Sequence, residues 1–194
     1  LLIASSRRVE ELTNERITIF IERANGSNIE LASNISLKHF ILGSTFGHTI
    51  IKSDNANTIG LSALCEIASD GAIALEPNES IKVSLDGLVS AQTYSINGIE
   101  YPQMATSVVT MERKTILGDE TEKSYATGGA DLLMLNSELV NDVELTFSNG
   151  VRTKYSIKEL QALAFDVGRL ATVDTVDGAS IDTGNVLSFP LQDV

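Results

Sequence analysis

Short apolar runs recur along the whole chain, and several alternate with polar residues at the period of two that buries one face of a strand. Ile17-Thr18-Ile19-Phe20-Ile21 and Ile81-Lys82-Val83-Ser84-Leu85 are the clearest. Leu61 to Ile67, Ile73 to Leu75, Tyr94 to Ile96, Val108 to Met111, Lys114 to Leu117 and Leu132 to Leu135 follow. Val143 to Phe147, Val151 to Tyr155 and Val186 to Phe189 complete the set. Turn pairs separate these runs: Asn25-Gly26, Asp70-Gly71, Pro77-Asn78, Asp86-Gly87, Asn97-Gly98, Gly128-Gly129 and Asn149-Gly150. Glycine and asparagine tolerate the left-handed backbone that tight turns need, and proline pre-sets φ. Many short strands with punctuated turns predict a mainly β protein, a sandwich or a barrel.

Two segments break this period. Ser156-Ile157-Lys158-Glu159 has the Ser-to-Glu spacing of a capping box. Ile157, Leu160, Leu163 (or Ala164) and Val167 then share one helical face, and Gly168 is placed to end the helix. The second segment is Ser33 to Leu42, where Leu37 and Phe40-Ile41 share a face and Gly43 follows.

The two helices sit in matching contexts. Ile19, Ile21, Asn25-Gly26, Ser33, Leu37, Phe40 and Gly43 run in the order of Val143, Leu145, Asn149-Gly150, Ser156, Leu160, Leu163 and Gly168, at an offset of about 124 residues. Both read strand, Asn-Gly hairpin, strand, capping serine, short amphipathic helix, glycine. Two unrelated hairpins could each precede a helix; an internal duplication of one β-sandwich unit explains the shared order as well. The duplication divides the chain into units 1–103 and 104–194. The second unit lacks counterparts of Ile81–Ile99, so its sandwich is expected to be incomplete.

Composition narrows the function. With 43% hydrophobic and 21% charged residues, the 194-residue chain is that of an ordered globular protein. The formal charge of −12 and pI near 4.5 argue against a surface that neutralises phosphates, so no direct nucleic-acid binding is expected. One cysteine, Cys65, excludes an internal disulfide framework and a cysteine-rich zinc site. No run of apolar residues is long enough to cross a bilayer as a helix. The chain opens on Leu1 with no signal-peptide pattern, and the expectation is that it belongs to a longer polypeptide.

Candidate chemistry is sparse. Asp182-Thr183-Gly184 is the tripeptide of aspartic proteases, but Asn185 follows it, no second copy exists, and a surface turn is the better reading. Asp174, Asp177 and Asp182 cluster around Gly178 without the spacing of a calcium loop, and read as a solvated acidic loop. Asp119, Glu120 and Glu122 beside Lys123 read the same way. His39 and His48 lack the i, i+4 spacing of a helical metal pair; His39 is expected half-exposed on its helix and His48 in a loop. Cys65, inside an apolar run, is expected to pack as a small buried hydrophobe. Tyr94, Tyr101, Tyr125 and Tyr155 are scattered and there is no tryptophan, so no aromatic sugar platform is evident. These readings leave no catalytic, cofactor-binding or metal residue to assign, no cofactor, and the expectation that the chain is not an enzyme.

The run Glu79 to Leu88 followed by Thr93 to Glu100 resembles paired strands of viral jelly-roll capsid proteins. Asp142 to Gly150 followed by Tyr155 to Leu163 is similar to the strand–turn–strand–helix unit in coat proteins of tailless, membrane-containing icosahedral bacteriophages of the corticovirus and finnlakevirus types. The resemblance touches about 70 of the residues. It implies a mainly β fold of tandem jelly-roll β-sandwiches, a double jelly roll with two short helices. It also implies a structural capsid protein that self-assembles into an icosahedral shell. Its partners would be further copies of itself, as a trimer, other capsid proteins and an internal viral membrane. Its location would be the virion, after assembly in the host cytoplasm. The alternative from another class is a β-sandwich carbohydrate-binding or adhesin module, against which the poor aromatic content counts.

Overall fold

The structure, a computed structural model, describes residues 1–45, 49–51, 60–69, 71–105, 107–166, 172–175, 178–180, 186–191 and 194. The fold is mainly β, with several antiparallel sheets and, among the described residues, two α-helices. The strands are β1 (Leu2–Ser5), β2 (Arg16–Glu22), β3 (Asn28–Ser36), β4 (Thr49–Ile51), β5 (Leu61–Leu64), β6 (Ala68–Ser69), β7 (Ser80–Asp86) and β8 (Tyr94–Asn97). They continue with β9 (Ser107–Val108), β10 (Leu132–Asn136), β11 (Asp142–Thr146), β12 (Arg152–Ser156), β13 (Thr172–Thr175), β14 (Gly178–Ser180) and β15 (Val186–Pro190). Helix α1 spans Leu37–Ser44 and α2 spans Ile157–Asp166.

Strand β2 shows how pattern becomes packing. Its odd residues Ile17, Ile19 and Ile21 are fully buried, while Arg16, Thr18 and Phe20 on the other face are only partly covered. It is the centre of a three-stranded sheet ordered β3-β2-β7. A six-stranded sheet is ordered β14-β13-β4-β5-β1-β8 and takes strands from both sides of residue 103; its β13–β4 pair is parallel. Ile3 of β1 and Leu61 and Ala63 of β5 join the β2 isoleucines in one core, which Leu37, Phe40, Ile41 and Leu42 of α1 complete. Ile81, Val83 and Leu85 of β7 and Ile96 of β8 lean on it, partly exposed. A smaller core forms around Leu160 and Ala164 of α2, Leu187 of β15 and the half-buried Val143 and Tyr155.

Both Asn-Gly turns are built with the same bonds. In the first, Arg23 N–H donates to Ser27 O (3.0 Å), Gly26 N–H to Arg23 O (2.9 Å) and Ser27 N–H to Asn25 Oδ1 (3.0 Å). In the second, Phe147 N–H donates to Val151 O (2.9 Å), Gly150 N–H to Phe147 O (2.8 Å) and Val151 N–H to Asn149 Oδ1 (3.0 Å). Gly26 and Gly150 have φ of 81° and 82°, the left-handed region in which a side chain is strained. Each hairpin, β2–β3 and β11–β12, runs directly into a helix.

The structure corrects three local expectations. The first helix does not include Ser33: β3 runs to Ser36 and the helix begins at Leu37, because Leu37 N–H is taken by the Glu15 carbonyl at 2.9 Å and the β2 pairing continues up to that point. Strand β3 has nine residues where β12 has five, so Ser36 and not Ser33 is the counterpart of Ser156. Gly43 lies inside α1 instead of ending it, against Met134 and Met111. Ile73 to Leu75 and Lys114 to Leu117 form no strand. Leu117 N–H is instead captured by the Glu120 carboxylate at 2.9 Å, and Glu120 N–H returns to Leu117 O, a local closure that competes with sheet pairing. Asp70, Val167 and Gly168 lie outside the described residues.

Candidate functional site

The most concentrated polar chemistry is a buried carboxylate at one end of the main core. The segment between β1 and β2 makes a 3₁₀ turn at Val9–Glu11, pinned by buried Val9 and Leu12, and delivers Glu15 just before β2. The Glu15 side chain is wholly shielded from solvent. Its Oε1 accepts from Arg7 Nη1 at 2.6 Å and from the Tyr94 hydroxyl at 2.9 Å. Its Oε2 accepts from the N–H groups of Thr13 (3.0 Å) and Asn14 (3.1 Å). A second Arg7 nitrogen donates to the Glu11 carbonyl, and the Tyr94 oxygen accepts from Val89 N–H at 3.3 Å. The carboxylate therefore has four donors for its lone pairs.

Burial alone would raise the Glu15 pKa. Hydrogen bonds from its own N–H and from Tyr94, the Arg7 charge and the Asn14 N–H outweigh it and hold the carboxyl below its ordinary value. A carboxylate saturated this way has no free lone pair for a proton in transit. It ties the Arg7–Glu15 segment to β8, while the Glu15 backbone carbonyl receives Leu37 N–H at the start of α1, and this is what the arrangement can do. The neighbouring strands meet there too: Ser6 exchanges bonds with Gln92 (2.6 Å) and Thr93 (3.0 Å), and Gly87 sits so close that an added Cβ would lie 2.4 Å from Asn14 O.

A second staple lies at the opposite end of β2. Arg23 Nη1 reaches Glu79 Oε2 at 2.7 Å and Ala74 O at 3.2 Å, while Glu79 also accepts from the N–H groups of Glu76 (2.9 Å) and Ala24 (3.3 Å). The Glu76 N–H and Arg23 hold the Glu79 carboxyl below its ordinary value.

Among the described residues, those singled out in the sequence do not converge. Cys65 is fully buried in the main core, and burial pushes its thiol up to about 11, far from a reactive thiolate. His39 is half-exposed on α1, its Nδ1 buried without a hydrogen-bond partner. Burial, with the Lys38 and Arg16 charges, lowers its pKa. Asp119 and Glu122 are exposed and Glu120 partly covered; Glu120 pairs with Lys123. Tyr101 and Tyr125 are exposed, Tyr94 is spent on Glu15, and Tyr155 leans on the small core. His48, Asp177, Asp182, Thr183 and Gly184 lie outside the described residues, as does the side chain of Asp174. Among the described residues, no three His, Cys, Asp or Glu side chains are grouped to hold a metal ion.

Sequence reasoning missed Glu15. Asn14-Glu15-Arg16 reads as a solvated stretch before a strand, and only the fold brings Tyr94 and Arg7 to it. No protein-family model and no curated protein matches the chain.

Proposed function

We propose that this chain is a structural capsid protein that self-assembles into an icosahedral shell, built on tandem jelly-roll sandwiches. The observation that carries the reading is the repeated unit: β2–turn–β3–α1 and β11–turn–β12–α2 share strand order, turn bonding and the direct entry of hairpin into helix. Tandem copies of such a unit are what the coat-protein resemblance calls for. The use of buried and partly covered charge adds support, because Glu15, Arg7, Arg23 and Glu79 spend their polar atoms on fixing loops between strands. Rigid subunits with broad surfaces suit assembly, where shape complementarity and not a cleft does the work. In this reading the chain forms trimers, meets other capsid proteins and an internal membrane in the virion, and carries no cofactor.

Purified chain examined by sedimentation and electron microscopy over rising concentration tests this. Trimers, and arrays or closed particles at high concentration, are the expected result. A chain that stays monomeric and dispersed throughout overturns it. Tight glycan binding by such a monomer would favour a carbohydrate-binding sandwich instead.

A further inference from the structure

The three-stranded sheet treats its two edges differently. Along β3 the ladder to β2 is broken by register shifts, and Asn34 takes a left-handed φ of 49°. Met111 runs beside Ala32 and donates its N–H to Leu31 O at 2.7 Å. That edge is bent and strapped. Strand β7, at the other edge, is paired to β2 in one unbroken register over all seven residues, and among the described residues nothing pairs with its outer side. The edge strands of the six-stranded sheet are shorter, four residues in β8 and three in β14. A long, regular edge is a template for another strand unless the fold blunts it.

Hydrogen-bond parity tells which groups β7 turns outward. Glu15 O receives Leu37 N–H, and Arg23 N–H donates to Ser27 O, so the odd residues of β2 bond toward β3 and the even ones toward β7. Bonded and non-bonded pairs alternate along an antiparallel ladder. Ser80, Lys82, Ser84 and Asp86 therefore bond β2, and the backbone N–H and C=O groups of Ile81, Val83 and Leu85 point away from it. The side chains of these three are the half-buried ones that lean on the main core.

We propose that β7 is a homotypic docking edge, on which a second copy of this chain lays its own β7 antiparallel about a two-fold axis through Val83. In that register Val83 meets Val83, Ile81 meets Leu85, Lys82 meets Ser84, and Ser80 meets Asp86. Each outward residue exchanges both backbone groups with the other strand, and no like charges face each other. An axis through Lys82 would set two ammonium groups opposite. The chain carries a net −12, yet β7 itself, with Lys82 and Asp86, is neutral, so the strand pair adds no like-charge contact to the salt-screened repulsion between two acidic copies. The contact is isologous and closes on itself. It stands on the edge geometry and does not depend on the shell reading, although a shell of trimers also requires two-fold contacts between neighbours.

Disulfide trapping tests the register. Lys82 and Ser84 are exposed, and across the new interface they form a non-bonded pair, the arrangement with the closest side chains. The expected result is that Lys82→Cys mixed with Ser84→Cys forms a covalent dimer under mild oxidation, while either variant alone does so at least tenfold less. The native Cys65 is too buried to interfere. In sedimentation equilibrium the wild type associates and Val83→Pro, which removes an outward N–H along with the valine side chain's contact to the core, loses that association; circular dichroism checks that the variant is folded. No covalent dimer in the mixture, or equal trapping by a single variant, overturns the proposal. Particles that form while trapping fails would remove this contact and leave the shell reading standing; a trapped dimer that never builds larger assemblies would do the reverse.

Discussion

Tyr94 and Glu15 lie 79 residues apart in sequence, and the tyrosine hydroxyl donates to Glu15 Oε1 at 2.9 Å. Through that bond the segment leading into β2 is fastened to β8, the edge strand of the other sheet. Tyr94→Phe removes a donor to a buried charge and is expected to cost about 2 kcal/mol. Glu15→Gln leaves Arg7 without its counter-charge and is expected to cost about 3 kcal/mol or more. Urea unfolding at neutral pH measures both, and losses under about 0.5 kcal/mol, the range of ordinary surface changes, would sink the idea that this corner holds the sheets together.

Acid should act in two stages. Burial and the Lys38 and Arg16 charges lower the His39 pKa in the fold, so the unfolded chain takes up its proton first, and stability begins to fall as pH drops below the ordinary histidine value of about 6.5. Glu15 has a depressed folded pKa; its contribution is complete above the ordinary carboxylate value and is lost as pH falls through its folded value. His39→Gln should flatten the first stage and Glu15→Gln the second. Denaturant midpoints across a pH series check both, and identical slopes in all three proteins would refute the assignment.

The two helix starts are held by different devices. Ser156 Oγ accepts from Glu159 N–H at 3.3 Å, and Glu159 Oε2 accepts from Ser156 N–H at 2.7 Å, a complete capping box. Ser36 makes no side-chain cap, and Leu37 N–H is received by Glu15 O. Ser156→Ala is expected to cost about 1 kcal/mol and Ser36→Ala a few tenths. Comparable losses in thermal unfolding would refute the distinction.

Two glycines with positive φ should respond unequally to a methyl group. Gly26 has open space around it, so Gly26→Ala carries only the left-handed backbone strain of about 1–2 kcal/mol. At Gly87, with φ 67°, an added Cβ would also lie 2.4 Å from Asn14 O, so Gly87→Ala must push the loop that carries Glu15. Its loss should be the larger, and a smaller one would mean that the loop gives way freely.

Much of the framework is readable from periodicity. The alternation at Ile17–Ile21 and Ile81–Leu85 places β2 and β7, and the Ser156–Glu159 spacing places α2, because these signals are local. Lys114–Leu117 also ends in an apolar pair, but the Glu120 side chain offers Leu117 a nearer partner than any strand. The start of α1 depends on a carbonyl twenty-two residues upstream, and Glu15 on a tyrosine in another sheet. Neither relationship leaves a trace at its own position in the sequence. The outward parity of β7 is likewise invisible until its partner is known.

Cys65 reports on the core. With its thiol buried and pushed up to about 11, it should resist a disulfide reagent at pH 8 in the native protein and react once urea unfolds it. Rapid native labelling would mean that the core around β5 opens readily.

Strand β1 is held between β5 and β8, with Ile3 opposite both Ala63 and Ile96. During synthesis it must wait through roughly ninety residues of chain before its second neighbour exists, a long loop to close before any pairing rewards it. Refolding is therefore expected to be slow, on the order of milliseconds to seconds. Leu2–Ser5 presents two bare edges until β5 is made and one until β8 is made, which makes this small strand a point where a nascent chain needs protection from its neighbours.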